Sequence, residues 1–235
     1  MSNSNIPGVL PDKGKTNITY WNLFNGGLAR KSHEGEEKAV KRTNKNNVVV
    51  WEVYVPGVAG VIFDVNTHDS EFGKQLIVKL KKGDWTHQVT IPQQSKYFGS
   101  FLEKLPNINL NQEIEMRPFN YEDEKSGKKR IGISINQLGE KIGSFYHDWN
   151  NNVCTYKNGY PPFPKDWNNL KERDQKNYFY DVDEFYDARI AEWRAKYAPA
   201  YDKYEQHEQV STAPPATPPS QSKDDFLEEL NEPPF

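Results

Sequence analysis

The chain has 235 residues, of which 35% are apolar, 27% charged and 13% aromatic, and its net charge is −3. One cysteine, Cys154, excludes an internal disulfide and any cysteine-rich zinc site. No apolar run approaches the roughly 20 residues that a membrane-spanning helix needs.

Residues 1–15 read as a flexible arm without the apolar core of a signal peptide, so a cytoplasmic protein is expected. ITYWNLF (18–24) is aromatic and β-branched, a strand, and Gly26-Gly27 permits a sharp bend. HEGEEKAVKRTNKNN (33–47) reads as a polar, partly basic loop. VVVWEVYV (48–55) and VIFDVNT (61–67) follow as strands. QLIVKLKK (75–82), Gly83-Asp84 and WTHQVTI (85–91) form the clearest hairpin. On its first arm Leu76, Val78 and Leu80 share one face, and Ile77, Lys79 and Lys81 the other.

SKYFGSFLEKLP (95–106) has helical spacing, with Ser95 as N-cap and Pro106 as a stop. EIEMRPF (113–119) and IGISINQ (131–137) are strands around the charged tip NYEDEKSGKKR, and KIGSFY (141–146) adds a short last one. Several short strands, one helix and further strands predict a mainly β fold. A Greek-key barrel of the oligonucleotide/oligosaccharide-binding (OB) class over 16–147 is expected, with a β-sandwich as the alternative. Beyond it, NGYPPFPKDW (158–167) reads as an irregular strap and 183–204 as an amphipathic covering helix ended or kinked at Pro199, so 148–205 forms an extension. Residues 206–222 read as a disordered Pro/Ser/Thr linker and 223–235 as an acidic tail.

Charge is divided along the chain. Residues 13–147 carry 20 Lys/Arg against 15 Asp/Glu, whereas 223–235 carry one lysine and five carboxylates. No phosphate-cradling Gly loop, paired-His motif or nucleophile elbow is present, and the five histidines are scattered, so no catalytic residue, metal or cofactor is expected. The prominent feature is cations interleaved with rings on strand-like segments: Tyr20, Trp21, Arg30 and Lys31; Lys41, Arg42, Lys45 and Tyr54; Lys79 and Lys81; Arg117, Phe119, Tyr121, Lys128, Lys129 and Arg130. Single-stranded nucleic acid needs this mixture, since cations neutralise phosphates and flat rings stack on bases. By alternation Val50, Glu52 and Tyr54 lie opposite Val49, Trp51 and Val53, which makes Tyr54 rather than Trp51 the surface candidate.

The basic, aromatic region 18–146, the linker 211–222 and the end DDFLEELNEPPF resemble the single-stranded-DNA-binding proteins of bacteria and bacteriophages. That resemblance implies an OB barrel that holds DNA and an acidic tail ending in Pro-Phe that recruits replication, recombination and repair proteins. Pro234 and Phe235 match the tip, and Asp224, Asp225, Glu228, Glu229 and Glu232 match its acidic run, which Phe226, Leu227 and Leu230 interrupt. Pro233 stands where an aliphatic residue is usual. The long extension points to a phage protein, which would work in the bacterial host cytoplasm. The expected function is sequence-independent binding of single-stranded DNA, with a homo-oligomer left open. An RNA-binding or RNA-chaperone module and a structural adaptor are the alternatives.

Overall fold

The computed structural model describes residues 17–44, 47–71, 73–124, 126–150 and 153–205, with backbone alone over 198–205. The arm 1–15, Lys45, the linker 206–222 and the acidic end with Asp224 to Phe235 lie outside the described residues.

Ten strands form one sheet: β1 (Asn17–Phe24), β2 (Gly27–Ser32), β3 (Ala39–Thr43), β4 (Val49–Val55), β5 (Val58–Ser70), β6 (Gly73–Lys82), β7 (Trp85–Pro92), β8 (Ile114–Glu122), β9 (Lys129–Gln137) and β10 (Glu140–Lys141). Their order is β10-β9-β8-β5-β6-β7-β1-β2-β4-β3. All neighbours are antiparallel except β1 and β7, which run parallel from Asn17↔Trp85 to Asn22↔Thr90. The fold is therefore mainly β, as expected, but among the described residues no ladder closes a barrel.

Alternation builds the core. Leu76, Val78 and Leu80 of β6, Val89 and Ile91 of β7, and Ile133 and Ile135 of β9 are fully buried, and Trp21, Leu23 and Leu28 join them from β1 and β2. β5 bends the sheet. Its first residues pair with β8 and the rest with β6, with a bulge between Ile62 and Asp64.

The curl brings distant edges together without hydrogen bonding them as strands. Asn25 and Gly26, at φ 45° and 78°, make the two-residue turn between β1 and β2. A Cβ at Gly26 would lie 2.5 Å from the Asn120 nitrogen, and one at Gly57 would lie 2.4 Å from the Met116 carbonyl oxygen. Only glycine lets both turns seat on β8. Pro118 fits the same place: β5 stops pairing with β8 at Met116, so a residue without an N–H removes no ladder bond on that side.

Helix α1 (Lys96–Leu102) plugs the interior with Tyr97, Phe98, Phe101 and Leu102. Ser95 occupies its N-cap position but donates to the Pro92 carbonyl instead of capping. Ser100 Oγ accepts from the Ile133 N–H at 2.9 Å, and Lys104 Nζ donates to the Ser100 carbonyl at 2.6 Å. A helix side chain thus meets the outer edge of β9.

Three sequence expectations need correction. The polar stretch 33–47 contains strand β3, whose apolar signal is broken by Lys41 and Arg42. Residues 147–156 form an unexpected hairpin of β11 (His147–Asn150) and β12 (Val153–Tyr156). Helix α2 runs from Glu172 to Glu205, starting earlier than 183 and continuing through Pro199. It covers the core as expected: Tyr186, Ile190 and Trp193 are buried, and Tyr186 packs edge-on against Phe98. Lys74 pairs with Asp187 at 2.6 Å, and Arg194 donates to the Val65 carbonyl at 3.1 Å.

Where α1, α2 and the β11–β12 hairpin meet, a carboxyl is trapped. Glu103 lies 3.8 Å from His147 Nε2 and accepts from the Tyr186 hydroxyl at 3.4 Å. Burial pushes its pKa up to about 7, against an opposing pull from Lys104. Burial, and then Lys104, hold His147 below its ordinary value.

Two stability predictions follow from this packing. Ser100→Ala leaves the Ile133 N–H unpaired and should cost about 1–3 kcal/mol, read as a lower denaturation midpoint at unchanged slope. Glu103 binds its proton more tightly in the folded chain than in the unfolded one. Its contribution is complete below the unfolded value of 4.5 and is lost as pH rises through about 7. Its side chain is 19% exposed, which discounts the loss to on the order of 2 kcal/mol. Glu103→Gln should therefore melt higher than wild type above neutral pH, with the gap closing near the unfolded value.

Candidate nucleic-acid interface

The alternation that buries one side of the sheet turns a second set of side chains outward. Register places Lys79, Gln88 and Tyr20 in one row across β6, β7 and β1. Asn22, Ala29 and Tyr54 form the next row across β1, β2 and β4, and Lys31 stands opposite Glu52. Tyr20 is 57% exposed and Lys81 is exposed, so this face offers a flat ring beside cations. Lys79 also pairs with Asp64 at 3.3 Å, which leaves it half-buried.

Beside that row lies an ion pair that organises the β2-β4-β3 layer. Glu52 is 4% exposed. Arg42 Nε and Nη2 donate to its two oxygens at 2.8 Å each, and the Tyr54 hydroxyl donates to it as well. The guanidinium also sits 5.5 Å from the centre of the Phe24 ring, which contacts Tyr54. The bond from Arg42 holds the Glu52 carboxyl below its usual range, and burial followed by the bond to Glu52 raises the Tyr54 phenol. Arg42 and Tyr54 are thus committed first to the fold. Only their exposed portions remain open to solvent.

The second half of the surface is the β8–β9 hairpin. Glu115, Arg117, Phe119 and Tyr121 alternate outward from the buried Ile114 and Met116. Phe119 and Tyr121 are ring neighbours at 5.7 Å, and Tyr121 is 56% exposed. Arg117 pairs with Glu115, and Arg130 lies 3.8 Å from Asp123. Lys128 and Lys129 are exposed at the tip. Gly26 seats on Phe119–Asn120 and Gly57 on Met116–Arg117, so the two halves meet along a seam.

Three expected contacts lie on the opposite side. Trp21 is in the core at 6% exposure and donates through Nε1 to His87 Nδ1 at 3.3 Å, so it has no face for a base. Arg30 sits over the Trp21 ring at 5.8 Å and is paired with Glu36. Lys41 is register partner to Trp51, on the side of Val53 and away from Tyr54. Composition identified these groups, but the face of a strand depends on parity, and β3 was not recognised as a strand. Lys45 lies outside the described residues.

Trp85, which follows Lys79, Lys81 and Lys82 in the sequence, is 52% exposed beside Lys82 at the β6–β7 turn. Sequence reading missed Asn25 and Asn120, which face a cleft at the seam. Among the described residues no cluster of three or more His, Cys, Asp or Glu is placed to hold a metal ion, and no helix is long and apolar enough to cross a membrane. Cys154 is half-buried, and burial raises its thiol pKa.

Arg42→Ala would leave Glu52 buried without its main partner. Removing one member of a buried pair is strongly destabilising, and with Arg42 32% exposed the expected loss is about 3 kcal/mol by denaturant titration. Because the Glu52 pKa is depressed, the contribution is present above 4.5 and disappears as pH falls below that value, so wild type and variant should converge in acid. Compared with known families, curated proteins and solved structures, the chain matches no family model, no curated protein and no solved structure.

Proposed function

We propose that this chain binds single-stranded DNA, largely without regard to sequence, in DNA replication, recombination and repair. The observation that carries the reading is the outward parity of the sheet, where the exposed ring Tyr20 lies with Lys31 and Lys81, and the exposed ring Tyr121 lies opposite Arg130 with Lys128 at the nearby tip. Rings stack on unpaired bases of any identity, and cations along their path neutralise phosphates. The fold supports the same reading. β5, β6 and β7 form a meander, α1 follows, and β8 and β9 form a hairpin joined to β5. This sequence of elements resembles that of an OB-fold, whose second and third strands and last hairpin loop are its usual ligand face. Here these are β6, β7 and the 123–128 tip. The acidic end, with Pro234 and Phe235 last, is assigned the recruitment of partner proteins. Its carboxylates disfavour contact with DNA, and its aromatic terminus suits an apolar pocket rimmed by a cation.

A fluorescent single-stranded oligonucleotide titrated at low salt tests the proposal, with duplex and RNA of the same sequence as comparison arms. The single strand should bind best, with log K falling by about 0.7 per neutralised phosphate for each unit of log salt. Tyr20→Ala and Tyr121→Ala should each cost on the order of 1–3 kcal/mol of binding with stability unchanged. Arg30→Ala, on the opposite side, should bind as wild type does. An absence of binding at low salt, or preference for RNA, removes the reading.

A further inference from the structure

At the seam, the turn between β1 and β2 and the tip of the β8–β9 hairpin flank an open cleft of about 440 Å³. It is lined by Asn25 from the turn and by Asn120, Tyr121, Glu122, Gly127 and Lys129 from the hairpin, a mostly polar lining with one aromatic ring. Parity explains the arrangement. Asn120 and Glu122 continue the inward row of Ile114 and Met116, but the core ends at Pro118, so these two project into the space below the turn. Lys129 stands opposite Glu122 in register. Tyr121 has the other parity and belongs to the outer face, and so joins the cleft to that face.

We propose that this cleft receives one base of the bound single strand and prefers a base carrying an exocyclic amino group. The assignment rests on the DNA-binding reading above and adds a point of base selection to it. The volume is within the range of small-ligand sites and accommodates one nucleotide. The chemistry of the walls is specific. A carboxylate only accepts, so Glu122 complements the N4 amino group of cytosine and opposes the O4 carbonyl of thymine. The Asn25 and Asn120 amides each offer a donor and an acceptor to the rest of the base edge. Lys129 supplies the cation for the adjoining phosphate. Asn25 holds its amide over the cleft from a left-handed turn position, φ 45°, which asparagine tolerates and most residues do not.

The test uses the full chain and two matched oligonucleotides, oligo-dC and oligo-dT, in anisotropy titrations at neutral pH. Both are pyrimidine strands, so stacking and backbone terms largely cancel. Wild type should bind dC at least about fivefold more tightly, the low end of what one well-placed base contact supplies. Asn25→Gly keeps the turn geometry and removes one amide, and Glu122→Gln keeps the shape and adds a donor. Each should bring the dC/dT ratio toward one, Asn25→Gly by weakening dC and Glu122→Gln by weakening dC and strengthening dT. Equal wild-type affinities, or a ratio that survives both substitutions, overturns the cleft assignment and leaves DNA binding standing. If neither oligonucleotide binds, the DNA-binding reading falls and the cleft assignment falls with it.

Discussion

The hydrogen bond between the Ile133 N–H and Ser100 Oγ occupies the stretch of the β9 edge not paired with β10. A strand in the position of β9 has an outer edge that needs partners. In a closed barrel that edge would pair with β7. Here α1 stands between them, Ser100 answers β9 at Ile133, and the Ile142 N–H bonds the Ile135 carbonyl further along. The edge of β7 is therefore available to another strand, and β1 pairs there in parallel. Once β1 is in place, β2, β4 and β3 extend the sheet, and the curl carries the β1–β2 turn back onto β8. The surface assigned to nucleic acid is assembled from both sides of that return.

Packing at the seam leaves no tolerance. Gly26 and Gly57 meet backbone atoms of β8, which cannot move aside as a flexible side chain would. The Gly26 N–H donates to the Tyr97 hydroxyl at 3.2 Å, which ties the same turn to α1. One helix thus fixes the β9 edge through Ser100 and the opposing turn through Tyr97. The Arg42–Glu52–Tyr54 cluster gives the outlying β3 and β4 a polar anchor where apolar contacts are few. Val40, Val48 and Val49 of this region remain exposed.

How much of this was legible in sequence follows from the range of each signal. Alternation over a few residues located β6, β7, β8 and β9 and oriented Lys79, Arg117 and Phe119 correctly. Charge and aromatic content marked the segments that carry the outer face. Three features were out of reach for physical reasons. AVKRT has too few apolar residues to announce a strand, because β3 is an edge strand paired only to β4. Trp21 resembles Tyr20 in composition, and only the register of β1 on β7 shows that one is core and the other surface. The ion pair of Arg42 with Glu52 joins two strands across an unreadable turn. The cleft at the seam depends on the tertiary return of the β1–β2 turn, of which local sequence carries no trace beyond Asn25-Gly26.

The parallel pairing of β1 with β7 also orders events in time. Trp21 and His87, 66 positions apart, are bonded, whereas β5, β6 and β7 are joined by tight turns. Closing a long loop before any local reward slows a contact, and parallel pairs have no hairpin to start them. Strand β1 therefore waits for β7, with its alternating apolar side chains uncovered until the meander has formed. Tyr20, Lys31 and the β1–β2 turn take their places only after that docking. The chain acquires its complete outer face late in folding, so a partly folded molecule holds a formed meander without a finished outer face.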